Sequence, residues 1–114
     1  MKLYGYFRSS AAYRVRIALK LKKLTWEHVG IHLLRGEQRA ASYLGVNPAG
    51  LVPALETDSG ELITQSLAMI EWLDETWPDR APLLPGDSIT RARIRAFALT
   101  IACDIHPLNN LRVM

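Results

Sequence analysis

The chain has one cysteine, Cys103, among 114 residues. A lone cysteine excludes an intrachain disulfide and any cysteine-based zinc cluster, and no other residue set suggests a metal. No apolar run approaches the ~20 residues that cross a bilayer. The start, Met1-Lys2 running into an aromatic stretch that holds Arg8, does not have the form of a signal peptide, so no membrane and a cytoplasmic location are expected. There is no basic block. Fourteen Lys and Arg against eleven Asp and Glu leave a net charge of +3, and the basic residues are scattered. That argues against nucleic acid as a partner and suits an acidic small molecule. Internal repeats and low-complexity tracts are also missing. What remains is a half-apolar chain, 49% hydrophobic, long enough to bury a core.

The informative stretch is Arg8-Ser9-Ser10-Ala11-Ala12-Tyr13-Arg14-Val15-Arg16-Ile17-Ala18-Leu19. Before it, Lys2-Leu3-Tyr4-Gly5-Tyr6-Phe7 reads as a strand. After it, Ala11, Val15, Ala18, Leu19 and Leu21 recur at helical spacing, with Arg14, Arg16, Lys20, Lys22 and Lys23 on the other positions. Two serines at a strand-to-helix junction have two readings. A serine caps the helix by accepting an N–H of its first turn. The helix start also stabilises an anion, such as a thiolate held by a serine hydroxyl.

Thr25 to Ile31 reads as a second strand, so the first three elements suggest a βαβ unit with parallel strands. Residues 32 to 36 read as loop and Glu37 to Leu44 as a short helix, ended by the turn Asn47-Pro48-Ala49-Gly50. Leu51-Val52-Pro53-Ala54-Leu55-Glu56 reads as a strand with a proline inside it. Either a trans proline opens an edge strand, which the base rate favours, or a cis Val52–Pro53 bond turns the chain and presents the Val52 backbone. Asp58-Ser59-Gly60 makes a hairpin turn into Glu61-Leu62-Ile63-Thr64. Ser66 is the expected cap of a helix from Leu67 to Trp77, and Pro78 follows its end. Residues 81–87 form a proline-bearing linker. Ser88 is expected to cap a long helix that Pro107 breaks. The division is residues 1–80, the linker 81–87, and 88–114 as the start of a helical region whose apolar surface wants a partner.

The order β-α-β-α-β-β-α is the thioredoxin-like arrangement, an α/β fold with a four-stranded mixed sheet. In it, the run from Ser9 to Leu19, Asn47-Pro48, Leu51-Val52-Pro53-Ala54-Leu55, Gln65-Ser66-Leu67-Ala68-Met69-Ile70-Glu71-Trp72-Leu73 and Asp104-Ile105-His106-Pro107-Leu108-Asn109-Asn110-Leu111 resemble a glutathione S-transferase. The pattern is most similar to the zeta class, which includes maleylacetoacetate and maleylpyruvate isomerases. The motif normally carries cysteine after the two serines; here Ala11 stands there.

The resemblance implies a glutathione-dependent enzyme, forming a homodimer. Ser9 would donate a hydrogen bond to the glutathione sulfur, assisted by Ser10. Val52, before a cis Pro53, would pair with the cysteinyl part. Gln65 and Ser66 would hold the γ-glutamyl end, and His32 and Gln38 fall near the glycyl end. His106 and Asn110 match a stretch lining the site. Arg8 and Arg112 are the guanidinium candidates for a dianionic substrate; Arg14 braces the fold. As structural alternatives, His106 fills a helix kink and Arg112 is solvated. The implied reaction is cis–trans isomerisation of a maleyl-type oxo-dicarboxylate by reversible addition of the glutathione thiolate. The alternatives are a glutathione transferase or dehalogenase acting on small electrophiles, and a non-catalytic glutathione-binding module. A glutaredoxin-like oxidoreductase would need a cysteine where Ala11 and Ala12 stand.

Overall fold

The structure, a computed structural model, describes residues 1–105. It divides into two compact units, one from Met1 to Ala81 and one that begins at Pro82. The first runs β1 (Lys2–Gly5), α1 (Ser10–Leu21), β2 (Glu27–Gly30), two 3₁₀ turns (Leu33–Arg35 and Glu37–Arg39), α2 (Ala41–Leu44), β3 (Ala54–Glu56), β4 (Leu62–Thr64) and α3 (Ser66–Thr76). The four strands form one sheet in the order β2-β1-β3-β4. β1 and β2 are parallel, while β1–β3 and β3–β4 are antiparallel. This is the mixed sheet of the thioredoxin-like fold.

Alternation along β1 sorts the core onto two faces. Leu3, paired in register with Leu55, is fully buried, as are Val15 and Leu19 of α1 and Met69 and Leu73 of α3. Gly5 shares that face, and a Cβ there would stand 3.1 Å from the Ala12 Cβ, so α1 lies directly on the strand. Tyr4 points the other way and joins Ile31, Tyr43 and Ala54 in a second cluster beneath α2.

The register decides what meets at the sheet ends. Gly5 pairs with Gly30, Tyr4 with Ala54, and Ala54 with Thr64. The C-terminal ends of β1, β2 and β4 and the N-terminal end of β3 therefore lie together. The segments leaving or entering there carry Ser9, His32, Val52 and Gln65.

Several expected boundaries shift. The strand expected over residues 51–56 starts only at Ala54, after the cis Val52–Pro53 bond. Residues 32–36, expected as loop, include a 3₁₀ turn, and the helix expected over 37–44 is a second 3₁₀ turn followed by the single turn of α2. The left-handed Gly36, with φ of 73°, separates the two 3₁₀ turns, and the extended Ala40, with φ of −64° and ψ of 142°, divides the second of them from α2. Ser66 does not cap α3; it is the first helical residue, and Gln65 holds the cap position. Lys22, set by the spacing among the charges between the apolar positions, has no exposed surface.

The second unit contains α4 (Ser88–Leu99), which widens into π-helical turns over Thr100–Ile105. Its cap is Asp87 and not Ser88: Asp87 Oδ1 accepts the Thr90 N–H at 3.0 Å. Accepting hydrogen bonds from Thr90 holds the Asp87 carboxyl below its ordinary value. Phe97 and Ile89 of α4 are exposed. The expected break at Pro107 lies outside the described residues. Among those described, no helix is long and apolar enough to cross a membrane.

Candidate functional site

The β1–α1 junction is built by a tight reversal. The Ser9 N–H donates to the Tyr6 carbonyl at 2.9 Å, and Ser9 takes an extended conformation with φ −74° and ψ 117°. Its Oγ accepts the Ala12 N–H at 3.1 Å. Ser9 is thus the helix cap. The two readings of this serine are compatible, because capping uses an oxygen lone pair and leaves the hydroxyl hydrogen to donate. No acidic residue stands in the first turn of α1, so the positive end of the helix is not neutralised from within. Ser10 is the first helical residue and is exposed.

The β4–α3 junction stands beside it. The Arg14 guanidinium donates to Ser66 Oγ at 3.4 Å and so links the two helix starts. Burial lowers the pKa of Arg14 from its ordinary value. This is the bracing role expected of Arg14. Gln65 is exposed and has φ of 71° and ψ of 118°, a conformation that side chains rarely adopt. The strained backbone holds Gln65 at the mouth of the junction while α3 starts at the next residue.

Val52 is half-buried and Pro53 buried, joined by the cis bond that the resemblance implied and the base rate opposed. His32 follows β2; its backbone N–H donates to Glu37 Oε1 at 2.8 Å. Its Nδ1 is enclosed without a hydrogen-bond partner, and so is Gln38 Oε1. A third atom of this kind is the hydroxyl of Tyr6, whose ring lies 5.2 Å from that of His32. Enclosed polar atoms without partners are costly and rare, and they point to a ligand group or water that completes them. Tyr6 was missed from sequence, where it is one aromatic among several in a strand; nothing local separates it from Tyr4. Arg8 is exposed, with its guanidinium 5.4 Å over the Phe7 ring.

Of the residues singled out from sequence, the fold therefore gathers Ser9, Ser10, His32, Val52, Pro53, Gln65 and Ser66 at one end of the sheet. Gln38 is near the Val52 loop, since a Cβ on Gly50 would stand 3.2 Å from the Gln38 carbonyl oxygen. His106, Asn110 and Arg112 lie outside the described residues. Glutathione fits this end on three observations: a hydroxyl donor at a helix start for the sulfur, a second helix start for a carboxylate, and enclosed polar atoms awaiting partners.

Comparison with known proteins agrees. Residues 8–76 match the model of the glutathione S-transferase N-terminal domain. A maleylacetoacetate isomerase of Pseudomonas aeruginosa is 52% identical over 116 residues, covering 100% of this chain and 54% of the relative. A maleylpyruvate isomerase of a Ralstonia species is 47% identical, covering 100% of this chain and 53% of the relative. The structure of a maleylacetoacetate isomerase from Methylobacterium extorquens AM1, solved with bound malonate and GSH, superposes with a TM-score of 0.91 at 47% identity, covering 99% of this chain and 52% of the other. The holo structure of a maleyl pyruvate isomerase, a bacterial zeta-class enzyme, gives 0.92 at 45% identity, with the same coverage of 99% and 52%. The chain spans about half the length of the relatives it matches. With its serine junction, cis-proline loop and strained Gln65 in the places these matches cover, the chain belongs to the glutathione S-transferase family, in its zeta class.

Proposed function

We propose that this chain forms the glutathione-binding half of a glutathione-dependent isomerase that converts a maleyl-type oxo-dicarboxylate, maleylacetoacetate or maleylpyruvate, into its trans isomer. The observation that carries the reading is the convergence of Ser9, Val52 and Gln65-Ser66 at one sheet end, set by strand register. Relatives bearing those isomerase names at about half identity support it. Bound glutathione supplies a thiolate that adds reversibly to the substrate double bond and lets it rotate. The Ser9 hydroxyl donates to that sulfur, and the start of α1 adds its dipole, so the thiol ionises near neutral pH. Ser10 assists. Val52 holds the cysteinyl backbone, Gln65 and Ser66 the γ-glutamyl end, and His32 and Gln38 the glycyl carboxylate. Pro53 sets the Val52 turn; His106 and Asn110, outside the described residues, keep the glutathione-binding role that the resemblance implies for them.

The substrate carries two carboxylates, for which Arg8 and Arg112 supply guanidinium groups. Residues 1–80 act as the glutathione-binding domain, 81–87 as the linker, and 88–114 as the start of an all-helical domain. The working form is a cytoplasmic homodimer. The test is isomerisation by the whole protein with glutathione far below substrate concentration. Turnover of many substrates per glutathione supports an isomerase. Consumption of one glutathione per product identifies a conjugating transferase and sinks the isomerase reading.

A further inference from the structure

The loop before β3 ends in a carbonyl held by two buried donors. Leu51 O accepts the Tyr43 hydroxyl and, at 2.9 Å, the Asn47 Nδ2. Tyr43 and Asn47 are each 3% exposed. The Asn47 amide is fixed from its other side too, because its Oδ1 accepts the Ala49 N–H at 3.1 Å. The Asn47 N–H donates to the Tyr43 carbonyl at 2.8 Å, and the Gly50 N–H to the Asn47 carbonyl at 2.9 Å. Gly50 makes the turn possible: its φ is 65°, and a Cβ there would stand 3.2 Å from the Gln38 carbonyl oxygen and 3.3 Å from Leu44. These bonds leave the Leu51 carbonyl little room to turn.

The Leu51–Val52 peptide is trans, and in a planar trans peptide the C=O and the next N–H point in opposite directions. A Leu51 carbonyl drawn inward to Tyr43 and Asn47 therefore aims the Val52 N–H outward. That N–H makes no hydrogen bond within the described residues. An ordered donor turned to the surface, on a half-buried residue at the end of the sheet where Ser9 and Gln65 stand, is set to receive an acceptor from a ligand.

We propose that Tyr43 and Asn47 are positioning residues: by clamping the Leu51 carbonyl they orient the Val52 N–H toward the backbone carbonyl of a bound peptide thiol. The inference rests on the glutathione-binding reading, whose ligand it takes. Neither residue touches the ligand. The clamp removes the freedom of one peptide plane before binding, so the donor does not have to be ordered at the moment of contact. It also ties the ligand site to the second core cluster, because Tyr43 packs there against Ile31 and Ala54.

The test uses the whole protein, glutathione as the probe, and the Tyr43→Phe variant, which keeps the ring and loses only the hydroxyl. Calorimetry gives the Kd, and backbone amide spectra follow Val52, Ser9 and Ser66 during titration. Removing one hydrogen bond from the clamp is expected to raise Kd about fivefold. The shift of the Val52 amide on saturation should shrink, while those of Ser9 and Ser66 persist. A Kd within about twofold of the parent together with an unchanged Val52 shift overturns the clamp. So does equal loss of response at all three amides, which is general damage. If the parent protein itself binds no glutathione, the functional reading falls and this inference falls with it. Should Tyr43→Phe fail to fold, Asn47→Ser replaces it with the same expected and overturning results.

Discussion

The two ends of the first unit treat buried polar groups in opposite ways. At one end, Lys22 is 0% exposed and its Nζ is fully used. It donates to Asp74 Oδ1 at 2.9 Å, to the Trp77 carbonyl at 3.0 Å and to the Arg80 carbonyl at 2.8 Å, with the Ala81 carbonyl at 3.5 Å. Three ammonium donors meet three close acceptors, so one side chain closes the end of α1, the end of α3 and the chain leaving the domain. At the other end, the Tyr6 hydroxyl, His32 Nδ1 and Gln38 Oε1 are enclosed without partners. Backbone strain does not separate the two ends, since Gln65 has φ of 71° here and Lys23 and Ala81 have φ of 55° and 45° at the other. The difference separates polar groups that hold the fold, which are satisfied within it, from those whose partner is to arrive from outside.

The largest effect should come from breaking the satisfied end. Lys22→Met takes the ammonium away from Asp74 and from the Arg80 and Ala81 carbonyls, while the Trp77 carbonyl keeps the Arg80 N–H, and is expected to cost about 3–5 kcal/mol. Urea unfolding measures it. A loss under about 1 kcal/mol would mean that water enters and replaces the ammonium.

Next comes Ser9→Ala. The lost cap should cost about 1 kcal/mol of stability. With glutathione bound, the lost hydroxyl donor should raise the thiol pKa by about 1–2 units. Thiolate absorbance against pH reads the second effect. If parent and variant titrate together, Ser9 is only a cap, and Ser10 or a backbone N–H takes the sulfur.

Tyr6→Phe sharpens the contrast from the open end. In the ligand-free protein the variant loses a hydroxyl that has no partner, and is expected to gain about 1 kcal/mol while glutathione binds more weakly. A thermal melt showing destabilisation instead would assign the hydroxyl a partner within the fold and remove Tyr6 from the site.

The smallest effect concerns alkaline pH. Burial, then the hydrogen bond at 3.0 Å to Glu56, raises the pKa of Tyr4 above its ordinary 10.0, and burial does the same for Tyr43. Raised folded values keep their full stabilising effect below the unfolded pKa of 10.0. As pH rises past that point, the unfolded tyrosines lose protons that the folded ones keep, and stability falls. Urea midpoints compared between about pH 9 and about pH 11 should show the fall, and Tyr4→Phe should lessen it.

Much of this was legible in the residues. Alternation and helical spacing placed β1, α1, the β3–β4 hairpin and α3, because each has a pattern set by its own residues. Side chains one residue from a boundary were less legible. Ser66 looked like a cap, and only the conformation of Gln65 shows that the helix starts one residue earlier than a capping serine requires. The split of the expected helix over 37–44 falls at Ala40, whose extended backbone, φ −64° and ψ 142°, spacing does not encode.

Local patterning was enough to set the main strands and helices, and to show that two serine-bearing junctions follow strands. Packing of the whole domain brought those junctions, the Val52 loop and His32 to one end of the sheet, because register is set by pairing between strands far apart in the chain. It also decided that Lys22, which the spacing places among the charges between apolar positions, is fully buried. A lysine can be buried only where acceptors from elsewhere surround it, and Asp74, Trp77 and Arg80 reach Lys22 only once α1 and α3 have packed on the sheet.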